Sequence, residues 1–384
     1  MKNWDVVIAG AGLAGLSMAV ELAAPEFSHL RILIVEPRTE YVRDRTWSFW
    51  ALPDALPERW RQLAQTQWRQ WRVSYAERSV EPSGEVAYAS IRADTFYNDA
   101  LKIIANASHI EWRRGAGVVD VKEHTEGVEL LTTQGERYVA KLLLDSRPPP
   151  AAQASEWVQH FSGWEITSRS PCFDAACLDL MAFEPSEQGL HFIYCLPYSA
   201  TQALVESTWI SRADVSVDGD AELRDALATR WHCHDFEISF REQGALPLWP
   251  SFLPELKQVV RIGRAGGTLR ASTGYAFCAT LHHAISLAKS LDMQINQHGH
   301  LQGWQAPEWR TGSLDRWMDT VLFRVLERDW KAAPHLFVDL FERVPSAPLT
   351  RFLHGQSRWL DRWAVMRALP ASPFIRAALR WDGA

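Results

Sequence analysis

Cysteine is scarce in this chain. Of 384 residues only five are cysteine (Cys172, Cys177, Cys195, Cys233 and Cys278), and no two stand at Cys-x-x-Cys spacing. That pattern excludes a disulfide scaffold and a paired-cysteine zinc site, and it predicts reduced thiols in a cytoplasmic protein. Basic charge is not in excess either: 40 Lys and Arg stand against 46 Asp and Glu, a formal charge of −6. Nothing in that balance points to nucleic acid. Long hydrophobic runs are missing as well. The best candidate, residues 6–24, contains Glu21 and three glycines and follows no basic segment. Neither a signal peptide nor a membrane span is predicted, so any membrane contact is expected to be peripheral. His232-Cys233-His234 would put two histidines on one face of a strand, but with no second ligand cluster no metal site is expected. No internal repeat is found.

What the chain does have begins at its N-terminus. An apolar strand, Val6-Val7-Ile8-Ala9, runs into Gly10-Ala11-Gly12-Leu13-Ala14-Gly15, then a helix-forming run and a second apolar strand, Ile32-Leu33-Ile34-Val35, ending on Glu36. Strand, glycine turn, helix, strand and terminal acid together make a dinucleotide-binding fingerprint. Gly10 permits the turn, Gly12 lets the backbone approach a pyrophosphate, and Gly15 lets helix and strand pack closely. The helix N-terminus offers free N–H groups and a positive dipole end to the phosphates. Glu36 lies about twenty residues beyond Gly15, where an acceptor for ribose hydroxyls is expected.

Further on, residues 92–107 read as an amphipathic helix, with Phe96, Leu101 and Ile104 inward. A strand over 138–145 ends at Asp145, and Pro148-Pro149-Pro150 marks a boundary. Residues 160–250 are β-rich, with clear strands through His191–Pro197 and Ala203–Trp209. Val259–Gly263, Ala265-Gly266-Gly267 and a helix from Ala276 to Leu291 read as a return to the cofactor domain. The expected organisation is a first cofactor part over 1–150, a β-rich substrate domain over 151–256, a resumed cofactor part over 257–300 and a helical C-terminal region over 301–384. Tryptophan is abundant, 19 residues from Trp4 to Trp381, which suits both a packed core and a greasy pocket or membrane interface. Near the C-terminus Trp359, Trp363 and Met366 fall at helical spacing beside Arg358 and Arg362, in a segment where arginines outnumber acids. That pattern fits an interfacial helix or a capping helix with a basic outer face.

The Gly10–Gly15 fingerprint, the Thr46-Trp47-Ser48-Phe49 block, the stretch from Leu196-Pro197 to Leu204-Val205-Glu206-Ser207-Thr208, and Ser272-Thr273-Gly274-Tyr275 after Ala265-Gly266-Gly267 together resemble the flavin-dependent lycopene cyclases of the bacterial β-cyclase type. The resemblance is clear over about 1–300 and looser beyond. It implies an α/β fold: a Rossmann-type FAD-binding domain of the aromatic-hydroxylase architecture, a β-rich substrate insert and a helical C-terminal region. It further implies FAD on Gly10, Gly12 and Gly15 with Glu36 at the ribose, Arg92 near the cofactor, Asp145 as a cofactor-binding residue at the end of a third flavin-side strand, and Gly266 and Gly267 under the flavin ring. Three positions depart from the pattern. Arg264 follows Gly263 where related flavoproteins often carry Asp, Ala271 replaces a proline, and Trp50 replaces a histidine.

The family reaction is a cyclisation without net redox change. A protonated terminal alkene of an acyclic carotenoid such as lycopene becomes a tertiary cation, a neighbouring alkene attacks it, and a proton is lost from the new ring. The resemblance makes Glu206 the acid; taken alone, it would read as a strand glutamate facing solvent. Desolvation by Leu204, Val205 and Trp209 would keep its carboxyl protonated. Trp47, Trp50, Trp209 and Tyr275 are the expected substrate-lining aromatics, able to stabilise a cation. Reduced FAD, with NAD(P)H as reductant, and docking on the inner face of the membrane complete the expectation. A flavin monooxygenase of the same architecture and a non-catalytic carotenoid-binding flavoprotein remain alternatives. Ring type, one- or two-ended cyclisation and oligomeric state are not legible.

Overall fold

The computed structural model describes residues 3–64, 66–125, 127–148, 156–215, 218–249, 256–309 and 311–379. The fold starts with β1 (Asn3–Ala9), α1 (Leu13–Leu22) and β2 (Ile32–Glu36). A strand-rich excursion follows: β3 (Thr46–Trp50), the short α2 (Glu58–Arg61), β4 (Thr66–Tyr75), β5 (Arg78–Val80) and β6 (Ser83–Arg92). The chain then forms α3 (Ala93–Ala105), β7 (Ile110–Arg114), β8 (Val118–His124), β9 (Gly127–Thr132) and β10 (Arg137–Asp145). The second half holds β11 (Trp157–Ser168), β12 (Cys177–Glu184), β13 (Gly189–Pro197), β14 (Gln202–Arg212), α4 (Gly219–Arg230) and β15 (Phe236–Pro247). It closes with β16 (Val259–Arg261), α5 (Phe277–His298), α6 (Ser313–Arg328), α7 (Ala333–Arg343), α8 (Ser346–His354), α9 (Trp359–Ala368) and α10 (Ala371–Leu379).

Among the described residues these strands make two sheets. The first runs β7-β2-β1-β10-β9-β8, with β16 also on β10. β7, β2, β1, β10 and β16 are mutually parallel, and their central strands are apolar on both faces, as a sheet covered on both sides requires. α1, α3 and α5 pack together over one face in a core that includes Ile8, Leu16, Phe96, Phe277 and Leu287. From β1 the chain order runs outward one way to β2 and β7 and the other way to β10. The carboxyl ends of β1 and β10 therefore border a topological switch point, where a ligand crevice opens in folds of this kind.

The second sheet runs β15-β11-β14-β13-β12-β4-β6-β3, with β5 on β4. Here the expected boundaries need correction. The β-rich unit is not confined to 151–256, because β3 to β6, from the expected first cofactor part, complete its far half through the parallel β12–β4 pair. Trp68, Trp71 and Val73 are why: buried and apolar, they need a partner surface, and they find it in the core beneath the C-terminal helices. α4 covers the opposite face around Trp164, Val205 and Leu227. The expected helix from Ala276 runs on to His298 and stops at Gly299, whose φ of 71° is left-handed. His232-Cys233-His234 does not form a strand. It lies in the loop between α4 and β15, with His232 itself at φ 49°. Of the proline run, Pro149 and Pro150 fall outside the described residues.

Candidate functional site

The glycine turn obeys the chemistry of its spacing. A Cβ on Gly15 would lie 2.0 Å from the Gly10 carbonyl oxygen, so the third glycine is the contact point of α1 on β1. At Gly12 the same atom would meet only an Arg38 nitrogen at 3.7 Å, leaving the backbone open to a ligand. Gly12 is also the N-cap of α1, and no side chain caps that first turn. Its N–H groups thus face a cavity lined by Gly10, Gly12 and Leu13, the arrangement that receives phosphate. Glu36 ends β2 at the same place. One of its oxygens accepts the Ala11 N–H, and the other accepts the Arg38 backbone and Nε at 3.0 and 2.9 Å. Arg38 in turn donates to the Ala11 carbonyl at 2.9 Å, as does the Tyr41 hydroxyl at 3.1 Å. These residues fit an anionic dinucleotide: uncapped donors for phosphate, an open glycine, and a carboxylate at the strand end.

The cavity, about 900 Å³, is continuous from this turn into the second sheet. Its far arm is apolar, lined by Leu180, Leu190, Phe192 and Ile210 of the sheet and by Phe337 and Phe341 of α7. Glu206 lines the same cavity, between Leu204 and Thr208 on β14. Period-2 alternation on β14 sends Leu204, Glu206, Thr208 and Ile210 to the cavity and Val205, Ser207 and Trp209 to α4.

Across the sheet Glu206 pairs with Tyr194 on β13 and Gly163 on β11, and Gly163 pairs in turn with Glu242 on β15. The glycine leaves a gap in this row. A Cβ there would fall 2.9 Å from Cγ of Glu206 and 3.1 Å from Cγ of Glu242, so the two glutamates close over it from either side. Burial, then the neighbouring Glu242, pushes the Glu206 carboxyl far above its ordinary range. Burial raises Glu242 to about 7, against the opposing pull of the Thr46 N–H and Arg43. That N–H donates to Glu242 Oε2 at 2.9 Å, bringing edge strand β3 against edge strand β15. Arg43 is held close by, 2.6 Å from the buried Glu165 and 3.1 Å from the Thr46 hydroxyl. Beside Glu206, the hydroxyls of Tyr194 and Tyr275 both donate to that of Tyr88, at 3.3 and 3.2 Å, and burial raises all three well above the ordinary phenol value.

The other residues singled out in the sequence divide between lining and support. Trp47 and Tyr275 line the cavity, and Trp47 stacks on Phe277 with ring centroids 5.1 Å apart. Trp50 does not line it: the next cavity-facing position after Ser48 on β3 is packed edge-on against Trp71 and Tyr88 in the core. Trp209 is on the wrong face of β14, stacked on His191 and donating to Glu222 of α4 at 3.0 Å. Arg92 caps α3 from the outside and pairs with Asp94, away from the lining. Asp145 is fully buried beneath the cavity floor, its carboxylate shared by Arg147 and Arg261, and the lining passes instead to Ser146 and Arg147. Gly266 and Gly267 also sit behind the lining, which takes Gly263, Arg264 and Ala265 from that loop. A Cβ on Gly266 would strike the Arg261 carbonyl at 2.5 Å, so this glycine serves the turn. Arg264 brings a positive charge to the cavity, and burial and the nearby Arg45 lower its pKa.

No site role for Glu242, Gly163, Tyr88, Tyr194, Arg38 or Arg45 is legible in the sequence. Only Glu242 left a local trace, an acid in an otherwise alternating β-strand. Its pairing with Glu206 depends on a register that spacing does not reveal.

The parallel sheet with its glycine turn and the cavity shared with a second sheet define the class, a dinucleotide-binding α/β fold of the kind found in flavoproteins. Solved structures agree. A flavoprotein/dehydrogenase from Cytophaga hutchinsonii superposes with a TM-score of 0.67 at 13% identity, over 98% of this chain and 99% of that one. Halogenase PltM, solved in complex with phloroglucinol and FAD, gives 0.61 at 14%, over 98% and 94%. The anhydrotetracycline hydroxylase OxyS from Streptomyces rimosus gives 0.61 at 15%, over 92% and 76%. The chain itself belongs to the lycopene cyclase protein family, which matches residues 5–379. Relatives named lycopene beta-cyclase include one from Paracoccus sp. (strain N81106 / MBIC 01143), 24% identical over 96% of this chain and 95% of its own length. Another, from Pantoea ananas, is 24% identical over 98% and 97%.

Proposed function

We propose that this protein is a lycopene β-cyclase, converting the acyclic ψ-ends of lycopene to β-rings by acid-initiated cyclisation. The observation that carries this reading is Glu206, a desolvated carboxyl with a strongly raised pKa on the wall of a cavity that the dinucleotide-fitting turn and the apolar side chains of the second sheet both line. A carbon–carbon double bond is a weak base, so its protonation needs an acid held neutral in a dry site. Glu206 gives its proton to the terminal alkene, the neighbouring π bond closes the ring on the resulting tertiary cation, and an adjacent C–H proton leaves. Leu180, Leu190, Phe192 and Ile210 exclude water, which would trap the cation. Tyr88, Tyr194, Tyr275 and Trp47 line the cavity, and an aromatic face turned to the cation would stabilise it by up to about 2 kcal/mol when desolvated.

Gly10, Gly12, the first turn of α1 and Glu36 would hold FAD. Reduced by NAD(P)H, that cofactor would supply negative charge beside the developing cation and would not be consumed.

Lycopene resides in membrane, and no helix among the described residues is long and apolar enough to cross one. The C-terminal helices supply a docking surface on the inner face of the membrane instead. Trp359, Leu360, Trp363 and Met366 of α9 and Ile375 and Leu379 of α10 are exposed, and the apolar arm ends on α7 and α8, which pack against α9. The basic rim is narrower than the composition suggests. Arg351 and Arg362 are tied to Asp361 and Asp315, leaving Arg358 and Arg367 next to the tryptophans of α9 and Arg376 on α10. Replacing Trp359 and Trp363 together by Ser is expected to weaken sedimentation with anionic liposomes by at least roughly tenfold, because each indole contributes apolar burial. Unchanged sedimentation with an unchanged circular dichroism spectrum would remove α9 from that role.

The reading as a whole is tested by incubating purified protein with FAD, NADPH and lycopene-bearing liposomes without oxygen. Cyclic products of unchanged mass are expected. Products that appear only in air and carry oxygen would instead make the protein a monooxygenase.

A further inference from the structure

We propose that Glu242 is the positioning partner of Glu206: the two carboxyls share one proton across the gap left by Gly163, and the ionised partner keeps the proton on Glu206 where the substrate meets it. This rests on the reading of Glu206 as the acid. Glu206 lines the cavity and Glu242 does not, so Glu242 acts through its neighbour.

Three observations lead here. First, Glu206, Gly163 and Glu242 lie in register on three adjacent strands, and the only residue between the two acids has no side chain. Any larger residue at 163 would collide with both carboxyl stems. Second, the two oxygens of Glu242 are treated differently. Oε2 takes the Thr46 N–H, whereas Oε1 is buried without a hydrogen-bond partner among the described residues. A buried acceptor without a donor is costly, and a proton on the Glu206 carboxyl is the donor that this position can receive. Third, the charges around the pair favour placing the negative charge on Glu242. Arg43, Arg45 and the Thr46 N–H act on Glu242, while Glu206 stands beside the neutral hydroxyls of Tyr88 and Tyr194. Glu165 is already neutralised by Arg43, and Tyr198 and Tyr275 stay protonated throughout the useful pH range.

Two like charges held this close cannot both form cheaply, so an ionised Glu242 keeps Glu206 protonated at a pH where an isolated glutamate would be charged. The balance of the reaction also closes on the pair. Glu206 loses its proton to the terminal alkene carbon, leaving two carboxylates side by side. Their mutual repulsion makes the pair a strong base, and the proton lost from the ring carbon restores it. No redox equivalent and no net proton is used.

The test is the pH dependence of turnover on lycopene in liposomes, measured on the FAD-loaded protein. In Glu242→Gln the repelling charge is gone, and the amide can donate to an ionised Glu206; both changes lower the Glu206 pKa. The basic limb of the kcat profile should therefore move toward acid by at least about one pH unit. Turnover at about pH 8 then falls roughly tenfold or more, while that at about pH 5.5 is retained. Gly163→Ala, which wedges the stems apart, should move the limb in the same direction. A uniform drop at every pH, or a limb that stays in place in either variant, would overturn the shared proton. Glu206→Gln separates the two ideas. If it still cyclises lycopene, the acid assignment itself fails; if it is inactive while the Glu242→Gln limb is unmoved, only the coupling fails.

Discussion

Glu206→Gln is expected to abolish cyclisation, by at least about 10³-fold, in a protein that still folds and still retains its flavin. The size of the effect follows from the role. An amide occupies the same volume and can hydrogen-bond as the carboxyl does, but it has no proton acidic enough to give to carbon. The cation is then never formed, and the remaining groups have nothing to stabilise. The fold should tolerate the change well because Glu206 lowers stability in the native state. Its folded pKa is raised above the ordinary glutamate value, so between those two values the folded chain binds more protons than the unfolded one. Stability therefore falls as pH rises through that window, and a neutral side chain removes the loss. The variant should melt at or above the wild-type temperature at about pH 8 and no lower at about pH 5. Chromatography of the pigments, flavin absorbance and a melting curve at both pH values read all parts of this expectation. Wild-type conversion in the variant would take the acid role from Glu206, and a lower melting point at the alkaline pH would contradict the buried, protonated carboxyl.

The parts of this protein legible in the sequence are those fixed by local chemistry. The turn at Gly10–Gly15 could be read because strand, glycine spacing and helix are neighbours in the chain, and Glu36 because a single crossover separates it from them. The motif block at Thr46–Phe49 was recognisable as a block, yet its consequence was not. The Thr46 N–H holds Glu242, 196 residues further on, and nothing at either position announces the other. The same limit explains the misplaced aromatics. Trp209 stands three residues from Glu206 and Trp50 two from Ser48, so both looked close to the chemistry. On a strand, an odd offset turns a side chain to the other face, and an even one brings it to the cavity only if no neighbour is packed above it. Arg92 and Asp145 do not line the cavity for a related reason, although Asp145 ends β10 beside β1 as expected. Both sit at element ends beside the crevice, and both are satisfied by ion pairs, with Asp94 and with Arg147 and Arg261. Chain position placed them near the site, whereas the direction of the side chain, which depends on tertiary partners, decided against their reaching it.

The flavin end of the site carries the second large expectation, and the last two glycines of the turn separate packing from binding. Gly15→Ala is expected to leave a protein that purifies without flavin and melts well below wild type. The added Cβ would lie 2.0 Å from the Gly10 carbonyl oxygen and 3.4 Å from Cγ2 of Ile8, and the first of these is backbone that cannot step aside. Gly10 is itself fixed, at φ 84° and with its N–H on the Val35 carbonyl at 2.8 Å. The strain falls on α1, whose N-terminus must lift away from β1 and carry the phosphate-facing N–H groups with it. Overpacking of this kind costs on the order of 1–3 kcal/mol before the lost ligand is counted, and losing a bound ligand lowers apparent stability again. Gly12→Ala makes the contrast, because a Cβ there meets nothing closer than the Arg38 nitrogen at 3.7 Å. The protein without flavin should melt at the wild-type temperature, yet it should bind FAD at least about tenfold more weakly, since the methyl occupies the ground a pyrophosphate must approach. Titration with FAD, followed by quenching of its fluorescence, and melting curves with and without the cofactor distinguish the cases. If Gly12→Ala binds as tightly as wild type, the pyrophosphate does not lie against this turn. If Gly15→Ala keeps its flavin and its melting point, α1 does not depend on the close approach at Gly10.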